Sequence, residues 1–490
     1  MKIKSIYTYV AIASLFFTSC VSLDEEPSSH LTTVQFYKNS SDAKAAVTAA
    51  YAALITGEDG QPMYNRGIHL MTDTGTDDYV AGPTAANPNV QAISKVAYDA
   101  SNDRIEAVWR DTYSAINYAN IAIDKISAIE DLSESLRNQY INEAKFLRAL
   151  HYFNLVRWFR NVPLLLHETT SLAEDKTQVK QATSEEVYAQ IIKDLNDAEN
   201  LPVSYVAEDA GRATAGSAKA LLAKVYLTRK EWQKAADKAK EVIDSKQYAL
   251  FANFDDAFDS ATKNGKEHVF SIQFNGYPAS VSNINASAPS ATSYEVPGAG
   301  GAYIDAYNTS SNLYESFGNK DQRRDVTFVT EMKVPSTGKV YKLSAPHINK
   351  FYDPNKFGNQ GSSERNFTYM RYSEVLLIYA EAINELNGPT EDAYDKIDEV
   401  RTRAGIDKLK DIAPHATKDE FRELIFEERR KELAYEANRW LDLSRRGADY
   451  FVAKLHAAGK KNATAKNAIF PIPQRELDIN PNLVQNEEWK

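Results

Sequence analysis

Cys20 is the only cysteine among 490 residues, which excludes an intramolecular disulfide and any cysteine-based metal cluster. Long apolar runs are missing too: the longest, Ile6 to Phe17, has 12 residues, short of the roughly 20 needed to cross a bilayer as a helix. Basic charge is in deficit, with 57 Lys and Arg against 67 Asp and Glu for a formal charge of −10. That balance argues against a nucleic-acid partner, since phosphate binding draws on clustered Lys and Arg. Catalytic signatures are absent as well. The eight histidines form no His-Glu-x-x-His, there is no Gly-x-Ser-x-Gly elbow, and "GAGGAY" at Gly298 lacks the third glycine and the strand-helix setting of a dinucleotide loop. Tryptophan is scarce at 5, but tyrosine is abundant at 28.

What the N-terminus does contain is a secretory signal: Lys2 and Lys4, the apolar run, then the small residues Thr18 and Ser19. A lone Cys where the signal ends is placed to become the new first residue and carry lipid, the alternative being a buried or leftover thiol. Phe17-Thr18-Ser19-Cys20 resembles a bacterial lipobox, which implies a diacylglyceryl thioether and an acylated amine on Cys20, enough chains for stable anchoring. Asp24, Glu25 and Glu26 resemble the acidic stretch that in Bacteroidota sends lipoproteins to the cell surface. Removing residues 1–19 leaves 471 and shifts the formal charge to −12, long enough for one large core or several smaller ones.

The rest of the first half has the period of helices joined by short turns. Helices are expected over Ser41 to Ile55, Ser101 to Ile129, Ser133 to about Asn161, Ser184 to Leu201, Ala213 to Arg229 and Glu231 to Ser245. In "AKALLAKVYLTRKEWQKAADKAKEVI", Leu222, Ala223 and Tyr226 face a second helix carrying Ala235 and Ala239, a pair similar to a tetratricopeptide unit. Arg371 to Gly405 forms a second such pair, jointed at Gly388-Pro389. Two stretches lack helical period: Gly57 to Tyr98, and Phe251 to Phe367, the latter with strand-like "HVFSIQF" and "DVTFVTEMKV". Long irregular insertions on a helical scaffold are where a binding site is expected.

The segments "EAKFLRALHYFNLVRWFRNVPLL", "RATAGSAKALLAKVYL", "RYSEVLLIYAEAINE", "VRTRAG", "ERRKELAYEANRWLDLSRRG" and "FPIPQRELDINPNLVQN" together resemble the SusD/RagB family, in its order and over essentially the whole mature chain. Arg160 and Ala437 stand where that pattern often has glycine. The resemblance implies an all-α fold of four tetratricopeptide-like pairs in a superhelical scaffold, with irregular insertions and a few short strands. It implies a single domain over 20–490, comprising a tether (20–40), an N-terminal helical part (41–250), the insertion region (251–367) and a C-terminal helical part (368–490). It also implies an outer-membrane, cell-surface lipoprotein that captures oligosaccharides, or in some members peptides, for a SusC-like TonB-dependent barrel transporter.

Sugar recognition needs flat apolar surface against the C–H faces of pyranose rings and polar groups for the hydroxyls. Trp109, Trp158, Trp232 and Trp440 fall within helical motifs and Trp489 in the tail, so stacking falls to tyrosine. The expected ligand face combines residues 60–100 and 275–310: Asp77, Asp78, Tyr79, Tyr98, Tyr277, Asn283, Tyr294, Tyr303 and Tyr307, with Asn285 and Asn308 as polar neighbours. "TDTGTDDY" reads as a flexible loop whose Asp73, Asp77 and Asp78 meet sugar hydroxyls or ligate calcium, although without the spacing of a helix-loop-helix calcium site. No cofactor is expected. Glu427 and Glu428 read as solvated partners of Arg429, Arg430 and Lys431 on a helix, and Arg148, Arg157, Arg371, Arg401 and Glu381 as interhelical salt-bridge residues. The function expected is glycan capture without catalysis; the alternatives are peptide capture, a glycoside hydrolase built on a carboxylate pair, and a structural lid with no ligand affinity.

Overall fold

Apolar stripes at helical spacing, each opened by a short polar side chain, account for most of the architecture. The computed structural model describes residues 37–57, 63–83, 85–171, 173, 177–276, 295–299, 305–358 and 363–490; Cys20, the signal and most of the tether lie outside them. The N-terminal helices are α1 (Ser40–Ala52), α2 (Pro88–Ser94), α3 (Asp103–Ser127), α4 (Glu134–Phe159), α5 (Ser184–Ala198), α6 (Ala215–Thr228) and α7 (Trp232–Asp244). Asn39, Asn87, Asn102 and Ser133 cap the first four by accepting from free backbone N–H groups, and Thr183 and Thr214 close capping boxes on α5 and α6. The C-terminal helices are α8 (Tyr372–Asn387), α9 (Glu391–Arg403), α10 (Lys418–Glu432), α11 (Arg439–Arg445), α12 (Ala448–Ala457) and α13 (Gln474–Ile479). Each helix predicted from the sequence is present, with ends shifted by up to three residues.

Packing follows chain order from α3 to α7, and α7 then packs on α8, which packs on α9 and α10. Ala223, Ala235 and Ala239 are fully buried, so the small side chains sit at the close crossing between α6 and α7 as expected. The α7–α8 contact has a topological consequence. The chain between these neighbours, 127 residues from 245 to 371, leaves the helical stack and returns to it. Its neck is an antiparallel ladder of β4 (His268–Ile272) with β8 (Phe367–Arg371), in which His268 pairs with Arg371 and Ile272 with Phe367. Two further antiparallel pairs lie near the excursion: β1 (Tyr79–Ala81) with β5 (Asp305–Tyr307), and β6 (Phe328–Lys333) with β7 (Val340–Ile348). A short pair, Val162–Pro163 with Gln181–Ala182, follows α4. One apolar core runs from Ala50 to Leu483.

Gly57 to Tyr98 is not the open loop its lack of period implies. It holds two π-helical turns, Met63–Gly67 and Leu70–Thr74, then β1 and α2. Wide π turns have neither the 3.6 nor the 2.0 repeat, and Leu70 to Thr74 is buried on every side, so no amphipathic pattern is written. The two positions where glycine is common in similar sequences do take positive φ: Ala437 at 58°, and Arg160, which ends α4, at 66° with ψ −88°.

A cluster of buried charges locks the excursion to the stack. Arg371, at the end of β8, donates to Glu267 Oε1 (2.6 Å), Glu432 Oε1 (2.7 Å) and Glu436 Oε2 (2.7 Å). Arg403 reaches Glu267 and Glu432, and Arg323 binds Asp321 (2.7 Å), Glu428 (2.6 Å) and Glu432 (3.0 Å). Arg401 takes the other oxygen of Glu428 at 2.7 Å, and Lys350 Nζ donates to Glu436 Oε1 (2.6 Å) and to the Glu432 and Ala434 carbonyls. Five cations thus face five carboxylates, which is the condition under which buried charge is tolerated. Glu428 is therefore not solvated as its sequence setting implies; it is 1% exposed between two guanidinium groups, while Glu427 pairs with Arg430 at the surface. Arg148 pairs with Asp194 and Glu381 with Arg445, as expected between helices. Arg157 instead bonds Asn154 and Tyr369 and lies over the Phe153 ring.

Glu432→Gln leaves three guanidinium groups with one charge too few, and the expected loss is about 3–5 kcal/mol of unfolding free energy. Chemical denaturation checks it; a loss under about 1 kcal/mol would show that the cluster does not hold the neck.

Candidate functional site

The β1–β5 ladder joins the two irregular regions: Tyr79 lies opposite Tyr307 and Ala81 opposite Asp305. The side chains expected to face ligand along that seam point inward. Asp77 is held end-on by Arg439 (Nε to Oδ1 2.9 Å, Nη2 to Oδ2 2.6 Å). Asp78 accepts from Arg430 Nε (3.0 Å) and Ser311 Oγ (2.6 Å). Tyr79 is 1% exposed. Tyr98 stacks between Phe470 and Trp489, with ring centroids at 5.2 and 5.6 Å. Tyr307 donates to the Ser311 carbonyl at 2.9 Å, and Asn308 donates to the Asp77 and Ala458 carbonyls. Asp77, Asp78, Tyr79, Tyr98 and Tyr307, expected to contact ligand, are thus buried and packed or hydrogen-bonded within the protein. Asp77 edges a surface recess of about 390 Å³, shared with Ser310, Asn312 and Lys454.

The same geometry disposes of the calcium alternative at "TDTGTDDY". Asp73 accepts from His69 Nδ1 at 2.7 Å, and Asp77 and Asp78 face guanidinium groups, so the loop offers no open set of oxygens to a hard cation. Burial raises Asp73 and pushes Asp305, which bonds Thr74 and Tyr435, up to about 6. Asp77 goes the other way: burial opposes its charge, but Arg439 and then Arg430 bring it down to about 2. Lys460 Nζ completes the seam by donating to the carbonyls of Thr74 (2.9 Å), Tyr79 (2.6 Å) and Ser94 (2.8 Å).

Tyr277, Asn283, Asn285, Tyr294 and Tyr303 lie outside the described residues. Glu295, just after the 277–294 stretch, is clasped to β7: it accepts from Ser344 N (2.7 Å), Ser344 Oγ (3.0 Å) and His347 Nε2 (3.0 Å). Behind the clasp, Val296, Met332 and Val334 form a small apolar cluster against which Tyr341, Leu343, Tyr352 and Phe357 pack half-buried. Lys339 Nζ sits 4.5 Å from the centre of the Tyr341 ring. Tyr341, Tyr352 and Phe357 thus gather three half-buried aromatic rings on one small apolar cluster, and aromatic surface is what the C–H faces of pyranose rings stack on. Sequence reasoning missed Tyr341, Tyr352 and Phe357. For Tyr341 a signal existed, since β7 alternates inward and outward from Val340 to Ser344.

The chain thus combines helical repeats, an excursion necked by β4–β8 and a half-buried aromatic cluster. Two family profiles match the chain: "SusD family" over residues 333–489 and "Starch-binding associating with outer membrane" over residues 23–227. SusD-like protein P2 of Formosa agariphila is 30% identical over 96% of this chain and 97% of its own length. The starch-binding protein SusD of Bacteroides thetaiotaomicron is 26% identical over 51% of this chain and 46% of its own. A solved laminarin-binding SusD-like protein superposes with a TM-score of 0.76 at 27% identity, covering 92% of this chain and 100% of that one. The chain belongs to the SusD family, a class of non-catalytic, outer-membrane-associated glycan-binding proteins.

A pH-dependence follows from Asp77. A carboxyl brought from 3.8 to about 2 by folding contributes stability above its unfolded pKa and loses it as pH falls from about 4 to about 2. The stability gap between the native chain and Asp77→Asn should therefore shrink by about 2 kcal/mol across that window. A gap that is flat in pH would mean the Asp77–Arg439 pair is energetically silent.

Proposed function

We propose that the protein is a lipid-anchored receptor on the cell surface, which captures oligosaccharides and hands them to a SusC-like TonB-dependent transporter in the outer membrane. Cys20 is the anchor, and residues 20–40, with Asp24, Glu25 and Glu26, are the tether. The ligand face is the excursion between α7 and α8: Tyr277, Asn283, Tyr294 and Tyr303 from residues 277–304, with Tyr341, Tyr352 and Phe357 as its aromatic rim. The observation that carries this reading is the half-buried aromatic cluster clasped beside that stretch. The family's description as starch-binding and the likeness to a laminarin-binding protein support a glucan as the first ligand class to try. Capture without turnover fits a seam whose carboxylates are buried against protein, Asp77 and Asp78 on arginines, Asp73 on His69, and Asp305 on Thr74 and Tyr435, because glycoside hydrolysis needs an acid and a base or nucleophile that both reach the scissile bond.

The test is calorimetric titration of the mature chain carrying Cys20→Ser with laminari- and malto-oligosaccharides, other glycans and peptides. Heat with one glycan class is expected, and Tyr341→Ala with Tyr352→Ala should weaken it by about tenfold, the loss of roughly 1.4 kcal/mol of stacking. Unchanged affinity in that double variant contradicts the placement of the face. Heat with peptides alone moves the protein to peptide uptake, and release of reducing sugar over hours makes it a hydrolase.

A further inference from the structure

A cleft of about 250 Å³ opens on the other side of the neck, between the α5–α6 loop and the turn that leads into β4. Tyr205 and Tyr248 are among the residues that line it, and both are fixed by their own hydroxyls. Tyr205 donates to Glu143 Oε1 at 3.1 Å, and Tyr248 shares a 2.9 Å hydrogen bond with Thr214 Oγ1. Gly211 and Gly265 bring backbone into the cleft where a side chain would not fit. A Cβ on Gly211, whose φ is +95°, would lie 2.5 Å from Gln273, and one on Gly265 would lie 2.8 Å from the Phe251 ring. The Asn264 amide is held in a reciprocal pair with Gln273, at 3.0 and 2.9 Å.

The chemistry of this lining is amphipathic and close to neutral. Among the described residues no carboxylate lines the cleft, and Arg212 is already bound to Glu143 and Asp209. Lys266, exposed at the rim, is the remaining side chain with a permanent charge. Val203 in the lining is 62% exposed, and Val206, next to Tyr205 in the chain but outside the lining, is 68% exposed. Isolated exposed valines are ordinary, but two beside a pair of immobilised tyrosines provide contact surface that water alone does not explain. Such a mixture, rigid aromatic and aliphatic surface beside fixed amides, matches a sugar ring with its apolar faces and hydroxyl edge. It does not suit an ion. Without a carboxylate it binds and does not hydrolyse.

We propose that this cleft is a second saccharide subsite, which holds a distal residue of the same neutral polysaccharide chain that occupies the excursion face. This rests on the glycan-binding reading above. Two weak contacts on one polymer raise its effective affinity without any new contact at the first face, because the second binding event becomes intramolecular. A short oligosaccharide gains nothing from it.

Ser204→Trp and, on the opposite lip, Gln247→Trp fill the mouth from exposed positions. The probe is laminarin or starch, whichever gives heat with the intact mature protein, together with its trisaccharide. Each variant should weaken binding of the polymer by about fivefold or more, change trisaccharide affinity less than about twofold, and keep the unfolding midpoint of the parent. Polymer affinity unchanged in both variants overturns the subsite and leaves the excursion face standing. Silence of every glycan with the intact protein overturns both readings together.

Discussion

The excursion between α7 and α8 can be long and irregular because its neck is not. Arg371 sits where β8 turns into α8, and its guanidinium meets carboxylates from the start of β4 and the end of α10. Arg323, Asp321 and Lys350 come from inside the excursion, Arg401 and Arg403 from α9, so the same cluster ties the inserted chain to three parts of the stack. Such a cluster is a specificity device more than a source of stability: each charge is tolerable only while its partners stay in place. An alternative packing of the neck would strand an ion in the core. The register of β4 on β8, and with it the direction in which the excursion leaves the helices, follows from that constraint.

From the neck outward, order is handed on by smaller devices. The β1–β5 ladder fastens the excursion's return to the π-helical segment, with the Asp77–Arg439 and Asp78–Arg430 pairs and Lys460 filling the space behind it. Glu295 then pins residues 295–299 against β7, where the aromatic rim lies. The β1–β5 seam and the aromatic cluster are thus each fixed by buried or clasped polar contacts. Rings held from behind lose little conformational freedom when a ligand stacks on them, which suits capture of a flexible oligosaccharide.

The helices were legible from their apolar period, and several are also capped, Thr183 and Thr214 at two starts and Gly388 at a stop. The family was legible from segments whose arginines and glutamates turn out to build the buried cluster: "ERRKELAYEANRW" supplies Glu428, Glu432 and Glu436, and "VRTRAG" supplies Arg401 and Arg403. What could not be read was whether a residue lies in the interior. Asp77, Asp78 and Tyr79 stand in a stretch with the composition of a surface loop, and only their partners Arg439 and Arg430, more than 350 positions away, make them interior. Burial decided by a distant charge leaves no local pattern. Tyr352 and Phe357 escaped notice for the converse reason, since they belong to no element and are half-exposed only because Val296 and Met332 support them from beneath.

The most direct test of the account is a crystal structure of the mature chain with the glycan that titrates most strongly. A sugar ring against Tyr341 or Tyr352, with hydroxyls met by residues 277–304, is the result predicted. A glycan seated elsewhere on the helical stack, with the aromatic rim bare, would contradict it.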